Sequence, residues 1–279
     1  YTNLGYSNDL ALRVYTTRLL GNNKRLVLHG GGNTSVKTTI KDVDAKIYRV
    51  LCVKGSGWDM GNIEPEGLPA VKLDPLLSLK NKKNLSDEQM VNFQKRNLIN
   101  NTSPNPSVET FLHAFLPHKY VDHTHADAIL DITNRPNGMR ICKQIFGPEV
   151  GYVPYIMPGF LLAKKVFETY KKNPNLNCLI LLNHGIFTFS DNAKEAYNLM
   201  IKNVSLAESA IKKMKTKKIR QVKSQKLMLK PSDIAPVIRG LLTEPDTDNA
   251  FIVNFRTNKD IQYFMNGINA KKYSHRGTV

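Results

Sequence analysis

Residues 119–130 read KYVDHTHADAIL, and two of the chain's 7 histidines stand there as an H-x-H, His123 and His125. On a β-strand, positions i and i+2 point to one face. The two imidazoles would then sit side by side, with Asp122 and Thr124 facing the other way. Two imidazoles a pleat apart suit a zinc ion, which takes nitrogen ligands at about 2.0–2.1 Å. A third ligand must come from elsewhere. The candidate is His184 in LLNHGIF, directly after a run apolar enough to be a central strand. Glu109, in NPSVETFLHAFLPHK, has two readings. It is either a carboxylate interacting with the positive end of its helix or one held beside the metal, where it moves a proton on a bound substrate. His29, His113, His118 and His275 show no such partner pattern and read as ordinary polar or surface residues.

Two strand-to-glycine turns, RLVLHGGGNTSVK and YRVLCVKGSGWDMG, come next in interest. Glycines 55, 57 and 61 miss the G-x-G-x-x-G spacing by one residue, and no G-x-x-x-x-G-K-[ST] occurs. A dinucleotide or P-loop site is therefore weakly supported. Such turns can still build an anion nest from backbone N–H groups, with Asn33, Ser35 and Ser56 adding donors. Ordinary tight turns are the plain alternative.

These residues need elements to position them. SNDLALRVYTTRLLG (7–21) starts with cap-type residues and stops at Gly21, which predicts a helix carrying Leu10, Val14 and Leu19 inward. LSDEQMVNFQKRNLI has a capping box in Ser86 and Gln89. In 105–119, Asn105 can cap a helix with Pro106 at its first position and an apolar stripe of Val108, Phe111, Leu112, Phe115 and Leu116. A long helix is predicted over 193–215, and GYVPYIMPG and CLILLNHGIFTF read as strands. Strands and helices interleave, which predicts a three-layer mixed α/β domain over 1–215. Residues 216–279 read as a basic linker and small α/β extension, with helices near 232–242 and 259–266 and a strand AFIVNF.

The chain's 279 residues are 41% hydrophobic, enough for a sizeable core. The net charge of +17 raises the question of acidic or nucleic-acid partners, and nine of the positive charges fall in 212–230 without an acid. A solvated surface is the plainer account of both, so nucleic acid is not the expected partner. Cys52, Cys142 and Cys178 are too scattered for a disulfide framework or a C-x-x-C zinc site, which fits a reducing cytoplasm. No apolar run of 18 residues predicts a membrane span, and the first residues do not resemble a signal peptide.

Five blocks in order, GGGNTSVK, VKGSG, PSVETFLHAFLP, VDHTHADAI and NHGIFTF, make residues 25–215 resemble the class II (zinc-dependent) aldolase/adducin family. With VPYIMPGF between the last two, they look most like the aldolase half of bifunctional rhamnulose-1-phosphate aldolase/lactaldehyde dehydrogenases. The resemblance implies a three-layer α/β/α fold around a mixed, mostly antiparallel sheet. It implies a zinc or other divalent ion on His123, His125 and His184, with Glu109 as catalytic acid/base. It also implies that Asn33, Ser35, Gly55, Ser56 and Ser107 hold the substrate phosphate. Val108 departs from members with a second hydroxyl residue beside the glutamate, which puts details of that phosphate site in doubt. The implied reaction is retro-aldol cleavage of a ketose 1-phosphate by a symmetric homo-oligomer, a tetramer by family habit, with a dehydrogenase expected to follow the chain's last residues. The same site also serves sugar-phosphate 4-epimerases and decarboxylases within the superfamily. A non-enzymatic, adducin-like binding module is the alternative from another class, disfavoured because every ligand position is intact.

Overall fold

The computed structural model describes residues 1–42, 45–214, 219–222, 230–244 and 251–274. It divides into two compact units, Tyr1–Met214 and Lys215–Val279. In the first, seven strands form one sheet: β1 (Asn33–Lys41), β2 (Ile47–Val53), β3 (Ala70–Lys72), β4 (Tyr120–Thr124), β5 (Val150–Val153), β6 (Cys178–Leu181) and β7 (Gly185–Ser190). Their order is β3-β2-β1-β4-β7-β6-β5, and β5 with β6 is the one parallel pair. This is the mixed, mostly antiparallel sheet expected.

The helices of this unit are α1 (Asn8–Gly21), α2 (Leu73–Ser78), α3 (Asp87–Arg96), α4 (Thr110–Phe115), α5 (Asp127–Thr133), α6 (Gly138–Ile145), α7 (Phe160–Lys172) and α8 (Ala193–Lys213). Strand side chains alternate between two cores. Leu51, Val53, Val121, Phe187 and Phe189 pack with Leu76, Met90, Phe111, Phe115 and Phe160 from α2, α3, α4 and α7. Val36, Val50, Cys52, Cys178, Ile180 and Ile186 pack on the opposite face with α1, α5, α6 and α8. Each fully buried side chain of this size is worth roughly 1.5–3 kcal/mol, so helices on both faces lock the register of the middle strands. β4 is the clearest case, with all five residues buried. That register sets Asn33 of β1 and Phe187 of β7 on either side of His123.

α1 is capped as expected, the Ser7 side chain accepting the Leu10 N–H at 3.2 Å. Leu19, however, is 37% exposed, and the largest fully buried side chain of the helix is that of Arg13. Ser86 and Gln89 form the capping box of α3. The 105–119 segment departs most from the sequence reading. The helix starts at Thr110, with Glu109 at its N-cap. Upstream, Pro106 bridges Gly55, the Ser56 N–H donates to the Asn105 carbonyl at 2.7 Å, and the Ser107 N–H donates to the Lys54 carbonyl at 3.1 Å. The glycine loop offers backbone partners that the first helical turn would have left unmet, and it wins. Val108, expected on the apolar stripe, is 48% exposed.

In the second unit, helices α9 (Pro231–Leu242), α10 (Lys259–Met265) and α11 (Ala270–Ser274) form. Residues 251–255 of the expected strand AFIVNF take no regular structure. Most of the basic run 212–230 lies outside the described residues. Among the described residues, no helix is long and apolar enough to cross a membrane.

Candidate metal centre and active site

Three histidines converge beside the end of β4. His123 is on the strand, while His125 lies just past its end, in the loop before α5. This corrects the expectation of an H-x-H within one strand. The pairing of imidazoles survives past the end of the strand. The Nε2 atoms of His123 and His125 are 3.0 Å apart. Asp122 and Thr124 do face the other way, towards Arg13 and Met200. His184 stands in the turn between β6 and β7, and one ring nitrogen from each of the three histidines falls in a group within 4.8 Å.

The local sequence builds this convergence. Asn183, before His184, adopts φ 61°, a left-handed conformation asparagine tolerates, and its amide donates to Asn134 Oδ1 at 2.8 Å. Gly185 lets the turn close on β4, since a Cβ there would lie 2.4 Å from the Thr124 carbonyl oxygen and 3.0 Å from His123 Cε1. Gly32 has φ +65° and would place a Cβ 2.7 Å from the His123 carbonyl oxygen. His123 Nδ1 donates to the Ile186 carbonyl at 3.0 Å, which fixes the tautomer and leaves the Nε2 lone pair free. Phe187 stacks on the ring, centroids 4.0 Å apart and planes 9° apart.

Glu109 completes the group. Its Oε2 is 3.4 Å from His123 Nε2, and its Oε1 is 3.4 Å from His184 Nε2. Burial pushes the carboxyl above the usual carboxylate range, opposed by His184 and by the Asn33 N–H. Burial also pushes His123, His125 and His184 below the usual imidazole range, so all three are neutral at pH 7 with lone pairs available. Glu109 Oε1 and His184 Nδ1 are buried without a hydrogen-bond partner. Neutral imidazoles, a buried carboxylate and unpaired polar atoms fit a divalent cation, and the nitrogen-rich set suits zinc or a similar borderline ion.

A cleft of about 220 Å³ opens beside this cluster, lined by Glu109, His125, His184, Asn33, Ser107 and the two glycine turns. The Asn33 amide donates to Glu109 Oε2 at 2.7 Å and to Ser107 Oγ at 3.1 Å. Two expectations for the phosphate site change. Ser35 does not line the cleft: it is fully buried, and its hydroxyl lies 2.8 Å from His113 Nδ1. The N–H groups of Gly55 and Ser56 are not free for an anion either, since they donate to Gly67 and Asn105. The exposed Ser56 hydroxyl remains available, and a residue passed over in the sequence supplies a positive charge. Lys54 is 3% exposed and lines the cleft, with Nζ only loosely held by the carbonyls of Gly30 at 3.3 Å and Gly55 at 3.4 Å. Its place inside VKGSG was the available signal. His113, set aside for lack of a partner, is the second omission; its spacing four residues after Glu109 on one helix was the clue.

Comparison with known proteins places this geometry among relatives. Residues 11–211 match the family described as Class II Aldolase and Adducin N-terminal domain. The N-terminal class II aldolase domain of a conserved protein from Thermoplasma acidophilum is 46% identical, covering 74% of this chain and 95% of that one, with a TM-score of 0.69. A sugar-phosphate aldolase from Thermotoga maritima shares the fold at 15% identity, TM-score 0.55, over 73% of this chain and 94% of that one. The Uncharacterized oxidoreductase YuxG of Bacillus subtilis (strain 168) is 34% identical over 273 residues, 95% of this chain. The chain spans 39% of that relative's length.

Proposed function

The chain belongs to the class II aldolase and adducin N-terminal domain family, and from that premise we propose that it is a lyase of the class II aldolase type that cleaves a ketose 1-phosphate such as rhamnulose 1-phosphate. The products are dihydroxyacetone phosphate and an aldehyde such as lactaldehyde. The observation that carries this reading is a buried carboxylate, with no arginine or lysine among the described groups that shift its acidity, facing three neutral imidazoles at the wall of a lysine-bearing cleft.

His123, His125 and His184 would hold the divalent metal. Bound there, it supplies Lewis-acid chemistry, drawing electrons from a substrate carbonyl. The chain's own residues do the rest. Cleavage takes a proton from the C4 hydroxyl, breaks the C3–C4 bond and returns a proton to C3. Glu109 is the group placed to move a proton at those atoms, and burial tunes its carboxyl towards neutral pH. The Asn33 N–H holds Glu109 Oε2 and so keeps the carboxylate aimed. Lys54 and the Ser56 and Ser107 hydroxyls line the part of the cleft suited to the phosphate, and that binding orients the reacting carbons. A symmetric homo-oligomer with its sites near subunit contacts belongs to the same reading. Three buried free thiols suit the cytoplasm as the working compartment.

Elemental analysis tests the metal first: about one divalent ion per wild-type chain and none in His123→Ala is the expected result. Release of dihydroxyacetone phosphate from rhamnulose 1-phosphate by the loaded wild type is the second. Folded protein that takes up no zinc, manganese or cobalt on soaking would end the aldolase reading.

A further inference from the structure

The contacts behind Glu109 form a chain with one consistent arrangement of protons. Asn33 Nδ2 sits 2.7 Å from Glu109 Oε2 and 3.1 Å from Ser107 Oγ. The amide nitrogen is the donor in both bonds. The amide oxygen, Oδ1, therefore faces His113 Nε2, its other close partner. An amide oxygen only accepts, so His113 Nε2 carries the proton. His113 is fully buried and neutral, which leaves Nδ1 as a lone pair to accept the Ser35 hydroxyl 2.8 Å away. The direction of every bond from Ser35 to Glu109 follows from which atom of the Asn33 amide faces which partner.

The fold makes this arrangement rigid. Asn33 and Ser35 are i and i+2 on one face of β1, and Glu109 and His113 are i and i+4 at the start of α4, joined by a 3.2 Å His113 N–H to Glu109 carbonyl bond. The edge of Phe187 packs on His113, centroids 5.6 Å apart, and the same ring stacks on His123. His113 does not line the cleft. Its side chain reaches the Glu109 carboxylate through Asn33.

We propose that His113 is a positioning residue: its Nε2–H pins the Asn33 side chain so that the amide N–H, not the carbonyl, faces Glu109. Without that donor the Asn33 amide is free to turn over and set its oxygen against the carboxylate, which moves Glu109 off its aim. This rests on the reading of Glu109 as the proton-moving group. It also gives Ser35 a role distinct from substrate binding, as the donor that fixes the tautomer of His113.

The side-chain geometry of two amides provides the test. A glutamine amide nitrogen overlays the Nε2 position of histidine, and an asparagine amide nitrogen overlays only Nδ1. His113→Gln should keep kcat within about threefold of wild type, while His113→Asn should lose about 10- to 100-fold, as removal of an orienting partner does. KM and metal content per chain should be unchanged in both. Two-bond proton–nitrogen correlation on histidine-labelled, metal-loaded wild type should report the Nε2–H tautomer for His113. The Asn33 side-chain amide resonances should shift in His113→Asn and stay put in His113→Gln. An Nδ1–H tautomer, or equal losses of kcat and metal in both variants, would overturn the proposal. Should the wild type cleave no ketose phosphate, the reading of function fails by itself. The tautomer and the Asn33 resonances then decide the role of His113 alone.

Discussion

The two faces of β4 each bury a carboxylate, and they treat it in opposite ways. On one face Asp122 meets the Arg13 guanidinium at 2.6 Å, and both side chains are completely buried. Arg13 is held further by the Ser35 carbonyl at 3.2 Å and Thr16 Oγ1 at 2.7 Å. On the other face Glu109 reaches His123 and His184 at 3.4 Å and one amide of Asn33. No arginine or lysine compensates its charge among the groups that shift its acidity. Burying a charge without a partner is costly. A fold that neutralises one carboxylate with an arginine, and leaves a second against neutral imidazoles a few ångströms away, has left room for a cation that is not part of the chain. The first face is architecture. The second is the face we propose holds a metal ion.

Replacing the two acids should separate these roles. Glu109→Gln keeps the shape and the metal ligands but removes the group that moves the proton. Turnover should fall by about 10²- to 10⁴-fold, with metal content unchanged and thermal stability equal or higher. A Glu109→Gln protein that turns over normally would end the assignment of a proton-moving role to this carboxylate. Arg13→Met should do the reverse, leaving Asp122 buried and uncompensated at a cost of about 3–5 kcal/mol. Metal content and kcat per folded molecule should hold, as read by urea unfolding alongside active-site titration. Adding Asp122→Leu should recover most of the loss, because an apolar pair needs no compensation. If Arg13→Met instead strips the metal, the two faces are coupled and the contrast fails.

A smaller effect probes the seam between them. Gly185→Ala places a Cβ 2.4 Å from the Thr124 carbonyl oxygen and 3.0 Å from His123 Cε1. Overpacking of that kind costs about 1–3 kcal/mol. It should also weaken metal binding, because the carbonyl that must give way lies between two ligand positions. Gly147→Ala, where an added Cβ meets nothing within 4 Å, is the matched control. Equal melting temperatures and equal metal titrations for the two variants would show that the turn does not shape the site.

Much of the functional face was legible because its chemistry is written in spacing and residue type. His123, His125 and His184 were marked by spacing, whereas Glu109 kept two readings until the family resemblance gave it a role, and the structure brings the four together. The architectural face was less legible. Arg13 sits where periodicity predicts an apolar residue, and only the tertiary partner Asp122 explains it. The same reason accounts for the start of α4. Asn105 and Pro106 look like a helix start in isolation, but the loop at Gly55 and Ser56, some fifty residues earlier, captures them as backbone partners. Ser35 failed for a related reason: it shares a face of β1 with the cleft-lining Asn33, but His113 of α4 takes its hydroxyl. His113 was missed because its partners, Asn33 and Ser35, lie on a distant strand.

Lys37 offers the finest test of whether an uncompensated buried charge always marks a site. Its ammonium closes the far end of α4, donating to the carbonyls of His113 at 2.8 Å and His118 at 2.7 Å. Burial, with a smaller contribution from Lys80, lowers its pKa to about 7 against opposition from Asp191. In the unfolded chain the same group titrates near 10.4. Between these values the unfolded state binds the extra proton, so the group's contribution to stability rises with pH from about 7 to 10. Below pH 7 the full cost of the buried charge is present. Lys37→Met removes the titration along with two hydrogen bonds worth about 1 kcal/mol each. The stability advantage of wild type over Lys37→Met should therefore grow with alkalinity, by at most about 1.4 kcal/mol per pH unit, the limit for one proton. Urea unfolding of both proteins at pH 7, 8.5 and 10 measures it. A difference constant across that range would mean that Lys37 keeps its proton throughout. The carbonyls at the end of α4, with Asp191, would then keep a buried ammonium charged, and Glu109 would lose part of its claim to need a cation.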